Sequence, residues 1–369
     1  MCTFMRWASL QGMGDVLIAG GGVAGVATAL ALQRAGIAAT VYEAHPSGGA
    51  DAGAFLTVMA NGLAALDAVG AAGAVDRVSY PARAVAVFDS GGQRLQQRAI
   101  DGPARTLRRA ALYRALQELA VARGIPVEHG RRVVGASASA GASASAGASA
   151  SAGGVRVRFA DGTTVDGDVL VGADGIHSVT RRLIDPRAPE PRFTGQHVVY
   201  GYADGNAAGS EPDAYHMVFG SRAFFGFTAP GDGRTWWFAR LAGVAGAEHD
   251  WRALVLDAVR DDDTPAATIV AGGGGDVVGG DSYDIPSTPR WHGDRMVLAG
   301  DAAHAASPAA AQGASMALED AVALAAALAA HPGDPGRAFA AYEAERRPRT
   351  EETVAASARL VAGHAGHPE

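Results

Sequence analysis

Residues Asp15 to Glu43 constrain this chain more than any other stretch. They read as a short apolar strand (Val16-Leu17-Ile18-Ala19), a glycine turn (Gly20-Gly21-Gly22-Val23-Ala24-Gly25), a helix from Val26 to Ala35 stopped by Gly36, and a second strand (Thr40-Val41-Tyr42) ending in Glu43. The apolar run is short enough for a strand buried on both faces. Gly20 permits the tight turn, Gly22 lets backbone approach a pyrophosphate, and Gly25 lets the helix pack closely on the strand, with the helix N-H groups facing the phosphates. Glu43, at the strand tip and near the surface, is placed to accept hydrogen bonds from a ribose. Among 50 glycines a lone triplet means little. Here it follows a strand, opens a helix and is answered by an acid about 20 residues on, which is the context of a dinucleotide fingerprint.

Composition removes several alternatives. The 31 basic residues are all arginine, so a lysine Schiff base and a lysine phosphate loop are both excluded. A net charge of -7 gives no basic footprint for nucleic acid. Cys2 stands alone, ruling out an internal disulfide, and the 11 histidines show no metal-ligand spacing, so no metal is expected. The uncharged run from Val16 to Leu32 is interrupted by glycines and flanked by Asp15 and Gln33-Arg34. It fits the nucleotide unit better than a membrane span. Residues 1–14 have no clear role, and Met13 is a possible start. A cytoplasmic enzyme, monomeric or homodimeric, is expected.

Along the chain, Phe55 to Val58 reads as a strand and Asn61 to Val69 as a helix. A hairpin (Ala82 to Phe88, then Gln93 to Ile100) opens a second sheet inserted into the nucleotide unit. Arg105 to Ala122 reads as one helix with Arg109 in its first turn, where an arginine works against the helix dipole but can reach an anion. Val127 to Val134 reads as a strand. Ala-Ser-Ala-Ser-Ala-Gly then repeats three times from Ala136 to Gly153, a flexible loop tip between strands. Strand patterning resumes at Val155 to Phe159 and Thr164 to Val171, entering a tight turn at Gly172. From Phe193 to Phe238 strands carry most of the aromatics, either as sheet core or as walls of a substrate cavity. Gly272 to Gly280 reads as loop. The strand Arg295 to Ala299 leads through Gly300-Asp301 into an alanine-rich helix ending at Ala330, and a charged helix, Pro335 to Leu360, closes the chain.

Three of these stretches together resemble the single-component FAD-dependent aromatic hydroxylases typified by p-hydroxybenzoate hydroxylase. They are the Gly20-Gly22-Gly25 turn, the segment Gly172-Ala173-Asp174-Gly175 through Arg181, and Gly300-Asp301-Ala302-Ala303-His304. The resemblance implies an α/β fold: a Rossmann-like FAD-binding domain (13–80, 103–185 and 286–330), an inserted mixed-sheet substrate domain (81–102 and 186–285), a C-terminal helix (331–369) and a flexible loop at 136–154. It implies that Gly20, Gly22, Val23, Ala24, Gly25 and Glu43 hold the dinucleotide half of FAD, with Val133 meeting the adenine. Arg109 would approach the flavin, and Asp174 would neighbour the pyrophosphate or NAD(P)H. Gly300 and Asp301 would take the ribityl chain, and Pro308, Gln312, Gly313 and Ala314 the flavin edge, where a helix N-terminus stabilises negative charge. His304 is read as structural.

Two departures from the family pattern stand out. Ala311 replaces a glycine, and its methyl is tolerated if φ there is negative; Ser315 replaces an asparagine. The implied reaction is hydroxylation of an aromatic or polyketide-like ring, with NAD(P)H and dioxygen consumed through a flavin C4a-hydroperoxide. A base that deprotonates a phenol would come from His216 or Tyr202. The other readings are a flavin-dependent reductase of the same fold and a flavoprotein without turnover. The tryptophan-halogenase stretch W-x-W-x-I-P is missing, and no room is expected for a thioredoxin-like C-terminal domain.

Overall fold

The computed structural model describes residues 15–47, 54–139, 153–207, 210–211, 213–246, 248–275 and 277–365. Five parallel strands form the central sheet, in the order Met296–Leu298, Val169–Gly172, Val16–Ala19, Ala39–Tyr42 and Val127–Glu128. Val16 lies in register with both Val169 and Ala39, so the glycine turn after Ala19 sits where the strand order changes direction. That is where ligands enter such sheets.

Alternation along the first strand explains its unbroken apolar run. Val16 and Ile18 enter a core shared with helices Val23–Arg34, Ala60–Ala68, Arg109–Ala122, Gly313–Ala330 and Pro335–Ala365. Leu17 and Ala19 face the other way, onto Val133, Val155, Val157 and Phe159 of a three-stranded antiparallel sheet (Thr164–Gly167, Gly154–Phe159, Val133–Ser139). Both faces are therefore dry, as parallel strands require.

The second large element is a seven-stranded mixed sheet, in the order Val278–Asp284, Arg192–Asp204, Arg234–Ala242, Ala223–Thr228, Ala214–Phe219, Ala84–Asp89 and Arg94–Ala99. The early hairpin joins its edge, and Ala84–Asp89 pairs in parallel with Ala214–Phe219. One face packs Trp237, Phe225 and Phe227 under the helices Trp251–Val259 and Ala266–Ala271. The other carries Trp236 with Tyr200, Tyr202 and Phe238 toward Phe55.

Several boundaries differ from the sequence reading. Arg105–Arg108 is a strand held between Phe55–Val58 and Tyr80–Pro81, and the helix begins only at Arg109. Its residues pair one for one with Phe55–Val58, and Thr106 and Leu107, which point to opposite faces, are both buried. The stretch from Val127 to Val134 belongs to two sheets, because the chain turns at Gly130 (φ +71) and passes from the parallel sheet to the antiparallel one. The first helix starts at Val23, since Gly22 already has the extended conformation of a cap. Strand Val278–Asp284 takes the end of the expected 272–280 loop, and the closing helix continues to Ala365.

The helix Gly313–Ala330 is long and apolar enough to cross a membrane by composition. It is instead the hub of the helical core, packed on helices Val23–Arg34, Ala60–Ala68 and Pro335–Ala365 and carrying the buried Asp320.

The first residues of the Ala-Ser-Gly repeat are not a loop. Ala136 to Ser139 continue a strand whose partners are Val157 to Gly154, and the rest of the repeat, 140–152, lies outside the described residues. Ser139 and Gly154 close the ladder. Replacing 140–152 by Asn-Gly should therefore leave a protein that melts no lower than the parent, since a shorter closed loop costs less entropy. Thermal unfolding monitored by circular dichroism measures this, and a clear drop in melting temperature contradicts it.

Candidate FAD and substrate site

The glycine turn shows why each small residue is needed. At Gly20 (φ +99) a Cβ would lie 2.3 Å from the Ala173 carbonyl oxygen, and at Gly25 it would lie 1.9 Å from the Gly20 oxygen. Neither position has room for a side chain. At Gly22 nothing lies within 4 Å, so the outer side of the turn is open to a ligand. The helix behind it has neither a side-chain cap nor an acid in its first turn, which leaves the N-H groups around Val23 and Ala24 free for an anion.

Glu43 is buried, contrary to its expected place near the surface, because the residues of the turn and of a neighbouring helix close over it. Its Oε2 accepts from the Gly21 N-H at 2.7 Å and from the Tyr113 hydroxyl at 3.2 Å, and its Oε1 accepts from the His45 N-H at 2.7 Å. Burial and the adjacent carboxylate push the Tyr113 phenol well above its ordinary value. Gln117 donates to the Gly21 carbonyl at 3.3 Å. Arg109, Tyr113 and Gln117 follow one another at four-residue spacing along one helix face. That spacing is visible in the sequence, yet Tyr113 and Gln117 escaped the sequence reading. Val133 lies on the far side of Glu43: the Arg131 N-H donates to the Glu43 carbonyl at 2.8 Å, and Val133 is buried beside Tyr42 and Phe159.

The middle and last motifs meet this turn. The Asp174 backbone abuts Gly20, but its carboxylate is used within its own loop, accepting from the Ser178 hydroxyl and from the Thr180 N-H and hydroxyl, both at 3.0 Å. It is a neighbour of the turn whose oxygens hold the next helix. Arg181, fully buried, donates to the Ile176 and Ala302 carbonyls and so ties the two motifs together. Gly300 (φ +62) sits where a Cβ would press on Ala24 of the first helix at 2.8 Å and on Ala317 of the apolar helix at 3.4 Å. Two helix N-termini thus converge around Gly300, and Asp301, half-exposed, follows directly. Its carboxylate makes no hydrogen bond or ion pair among the described residues.

Pro308 begins a single 3-10 turn, Gln312 precedes the helix, and Gly313 and Ala314 form the first turn. No side chain caps that end and no acid lies in it, while Gly313 faces open space. The condition for tolerating a methyl at 311 is not met. Ala311 has φ +53, in the left-handed region, at a cost on the order of 1 kcal/mol that a glycine would avoid. Ser315, in the family's asparagine position, is buried and accepts from the Met59 N-H at 3.1 Å, while Asn61 donates to Gln312 at 3.3 Å. These bonds pin the Gln312–Ser315 segment onto the Phe55–Ala68 region.

Behind this segment lies the residue that the sequence reading missed entirely. Asp320, fully buried, accepts from the Gly300 N-H at 2.9 Å, from His304 Nε2 at 2.5 Å and from Arg346 Nε at 2.8 Å. Burial by itself would lower the His304 pKa, but the Asp320 carboxylate reverses this and holds it above 6.5. Burial would raise Asp320, and His304 with Arg346 hold it below 3.8 instead. The His304 contribution to stability is complete below about pH 6.5 and lost as pH rises through its raised folded value. The Asp320 contribution is complete above about pH 3.9 and lost as pH falls through its depressed one. His304 is structural, as expected.

The two candidate bases fare differently. His216 is not brought to the site: it is stacked between Phe88 and Phe227, at 5.8 and 4.7 Å, on the face of the large sheet covered by helices. Burial lowers its pKa. The strand's alternation sends its neighbours Tyr215 and Met217 to the other face. Tyr202 does lie on that other face, under the Arg108 guanidinium at 4.7 Å, but burial pushes its phenol up to about 12, so at neutral pH it is a donor and not a base. Arg109, exposed, acts electrostatically on Tyr113 and Tyr200, between the nucleotide turn and the aromatic face.

The model of the FAD binding domain family matches residues 13–357. The chain belongs to this family. It is 31% identical over 365 residues to an aurachin C monooxygenase/isomerase of Stigmatella aurantiaca, covering 94% of this chain and 88% of that one. It is 32% identical over 367 residues to a 3-amino-4-hydroxybenzoate 2-monooxygenase of Streptomyces platensis, covering 91% and 85%. The crystal structure of Klebsiella pneumoniae HpxO with FAD and uric acid superposes with a TM-score of 0.85 at 25% identity, covering 96% of this chain and 89% of that one. The protein is an FAD-dependent monooxygenase, and NAD(P)H is its cosubstrate. The open side of the Gly22 turn, the two uncapped helix ends and the unpaired Asp301 fit that cofactor.

Two substitutions follow from this geometry. Asp301→Ala should weaken FAD binding by roughly 1.5–3 kcal/mol, the value of a hydrogen bond to a charged group, measured by fluorescence titration of apoprotein with FAD; unchanged affinity refutes the role. Asp320→Asn should cost about 3–5 kcal/mol of stability in urea unfolding, because Arg346 and His304 lose a buried counter-charge; a loss under 1 kcal/mol refutes it.

Proposed function

We propose that this monooxygenase hydroxylates a small electron-rich aromatic or polyketide-like molecule held against the aromatic face of the seven-stranded sheet. The observation that carries the reading is the position of that face. Tyr200, Phe238 and Trp236 surround Phe55 at ring distances of 5.7, 6.0 and 5.5 Å, and Phe55 lies on the strand that leads into Met59, whose N-H is bonded to Ser315 at the flavin-edge helix. A ring against this wall lies beside the Gln312–Ala314 helix end. The division into a cofactor domain (13–80, 103–185, 286–330), a substrate domain (81–102, 186–285) and a closing helix (331–369) belongs to the same proposal, as does a cytoplasmic monomer or homodimer.

When bound, FAD supplies the two-electron chemistry that joins NAD(P)H oxidation to dioxygen activation. The chain's residues do the rest. The N-H groups at Gly22 to Ala24 and Gly313 to Ala314 offer donors to the pyrophosphate and to the flavin edge. Glu43 and Asp301 accept from the ribose and the ribityl chain, and Arg109 places a positive charge near the ring. The aromatic wall orients the substrate and excludes water. The overall balance is substrate-H + O2 + NAD(P)H + H+ giving substrate-OH + H2O + NAD(P)+. No side chain acts as nucleophile. Neither His216 nor Tyr202 serves as base, so a phenol would enter already activated or lose its proton to solvent.

Coupling cofactor reduction to ring binding avoids futile NAD(P)H consumption. The expected result is slow NAD(P)H oxidation alone, acceleration by an aromatic substrate, and one atom of labelled dioxygen in the product by mass spectrometry. Undiminished conversion without dioxygen overturns the reading.

A further inference from the structure

Three arginines among the described residues are buried: Arg181, Arg346 and Arg240. Arg181 donates to two carbonyls, and Arg346 is paired with Asp320 and Glu319. Arg240, 7% exposed, has no such partner among the described residues: its Nε and Nη1 are buried without a hydrogen bond, and no carboxylate of those residues pairs with it. Its guanidinium carbon lies 4.1 Å from the centroid of the Phe224 ring. A buried, unpaired guanidinium costs several kcal/mol, and a bound anion would complete it.

Its place on the sheet says what that ligand touches. Trp236, Phe238 and Arg240 alternate on one strand, opposite Tyr202, Tyr200 and Val198 on the next. Arg240 therefore stands on the face that carries the aromatic wall, at the end where Phe224 meets Phe238 at 6.0 Å. The charged and titratable groups that bear on it reduce to the Tyr200 phenol, itself kept protonated by burial, and burial lowers the Arg240 pKa to about 10, leaving it charged at neutral pH. Two parallel N-H vectors of a guanidinium match a carboxylate.

We propose that Arg240 is a substrate-binding residue that takes the carboxylate of a ring acid lying on Tyr200, Phe224 and Phe238, so that this enzyme's substrate is an aromatic or heteroaromatic carboxylate. The proposal rests on reading this face as the substrate wall. It adds an anionic end to that substrate and fixes the ring's direction along the wall.

Binding to the FAD-loaded enzyme, measured by calorimetry without NAD(P)H, tests the proposal independently of turnover. The probes are benzoate and 3-amino-4-hydroxybenzoate, each against its carboxamide, with parent, Arg240→Met and Arg240→Lys proteins. The acids should bind the parent more tightly than the amides. Arg240→Met should weaken the acids by about 10- to 100-fold and leave the amides unchanged, with Arg240→Lys in between. Without ligand, Arg240→Met should melt at or above the parent, because an unpaired buried charge is gone, and FAD content should not change. Equal parent affinity for acids and amides overturns the proposal, as do undetectable binding of both acids, equal losses for both classes, and a lower melting temperature of ligand-free Arg240→Met. The labelled-oxygen experiment judges the monooxygenase reading separately, since it does not depend on which ring end carries charge.

Discussion

The Asp320 carboxylate is the interaction on which the rest of this structure depends. It sits on a largely apolar helix beside Glu319, and it accepts from the Gly300 N-H, His304 and Arg346 at once. One buried anion therefore sets the left-handed turn at Gly300, anchors the short helix that follows and fastens the closing helix to the core. Tyr342 of the closing helix adds a bond to the Leu298 carbonyl at 3.1 Å, just before the same turn. Removing that charge would leave the Gly300 N-H and His304 without their buried acceptor and Arg346 paired only with Glu319 among the described carboxylates. The turn that presents Asp301 is shaped from behind, by residues that have no place in a cofactor contact.

Rigidity at the nucleotide end and an aromatic cluster around Phe55 at the other are two outcomes of the same packing. Around the glycine turn, backbone meets backbone, as Gly20 against Ala173 and Gly25 against Gly20. The large sheet divides its aromatics by strand alternation, sending Trp237 under the helices and Trp236 toward Phe55. Of the two faces, one is sheet core under the helices, and the other is the one proposed to hold the substrate. Ala311 shows a local conflict settled by this frame: the bonds from Met59 to Ser315 and from Asn61 to Gln312 hold the segment, and the left-handed alanine is carried with it.

The sequence by itself determined the parallel sheet, the nucleotide turn and the long helices. These rest on short-range rules: an apolar run, glycines at fixed spacing and an acid at the next strand tip. The steric roles of Gly20 and Gly25 were legible because a missing Cβ has local consequences. Arg109 and Glu43 were legible as charged residues at element ends, though not the Tyr113 hydroxyl that Glu43 accepts.

Only the tertiary structure decided which polar residues meet. Asp320, His304 and Arg346 are separated by 16 and 26 residues, and nothing in an alanine-rich helix announces that Asp320, and not the adjacent Glu319, will be fully enclosed. Arg105–Arg108 became a strand because Phe55–Val58 was there to pair with it, which a helical propensity count does not register. His216 was lost as a candidate because strand alternation turned it toward the helices, and Arg240 emerged because the same alternation turned it toward the aromatic wall with nothing to hold. Periodicity along a chain fixes which residues share a face; which face meets a cofactor, a helix or open space depends on contacts between residues far apart in sequence.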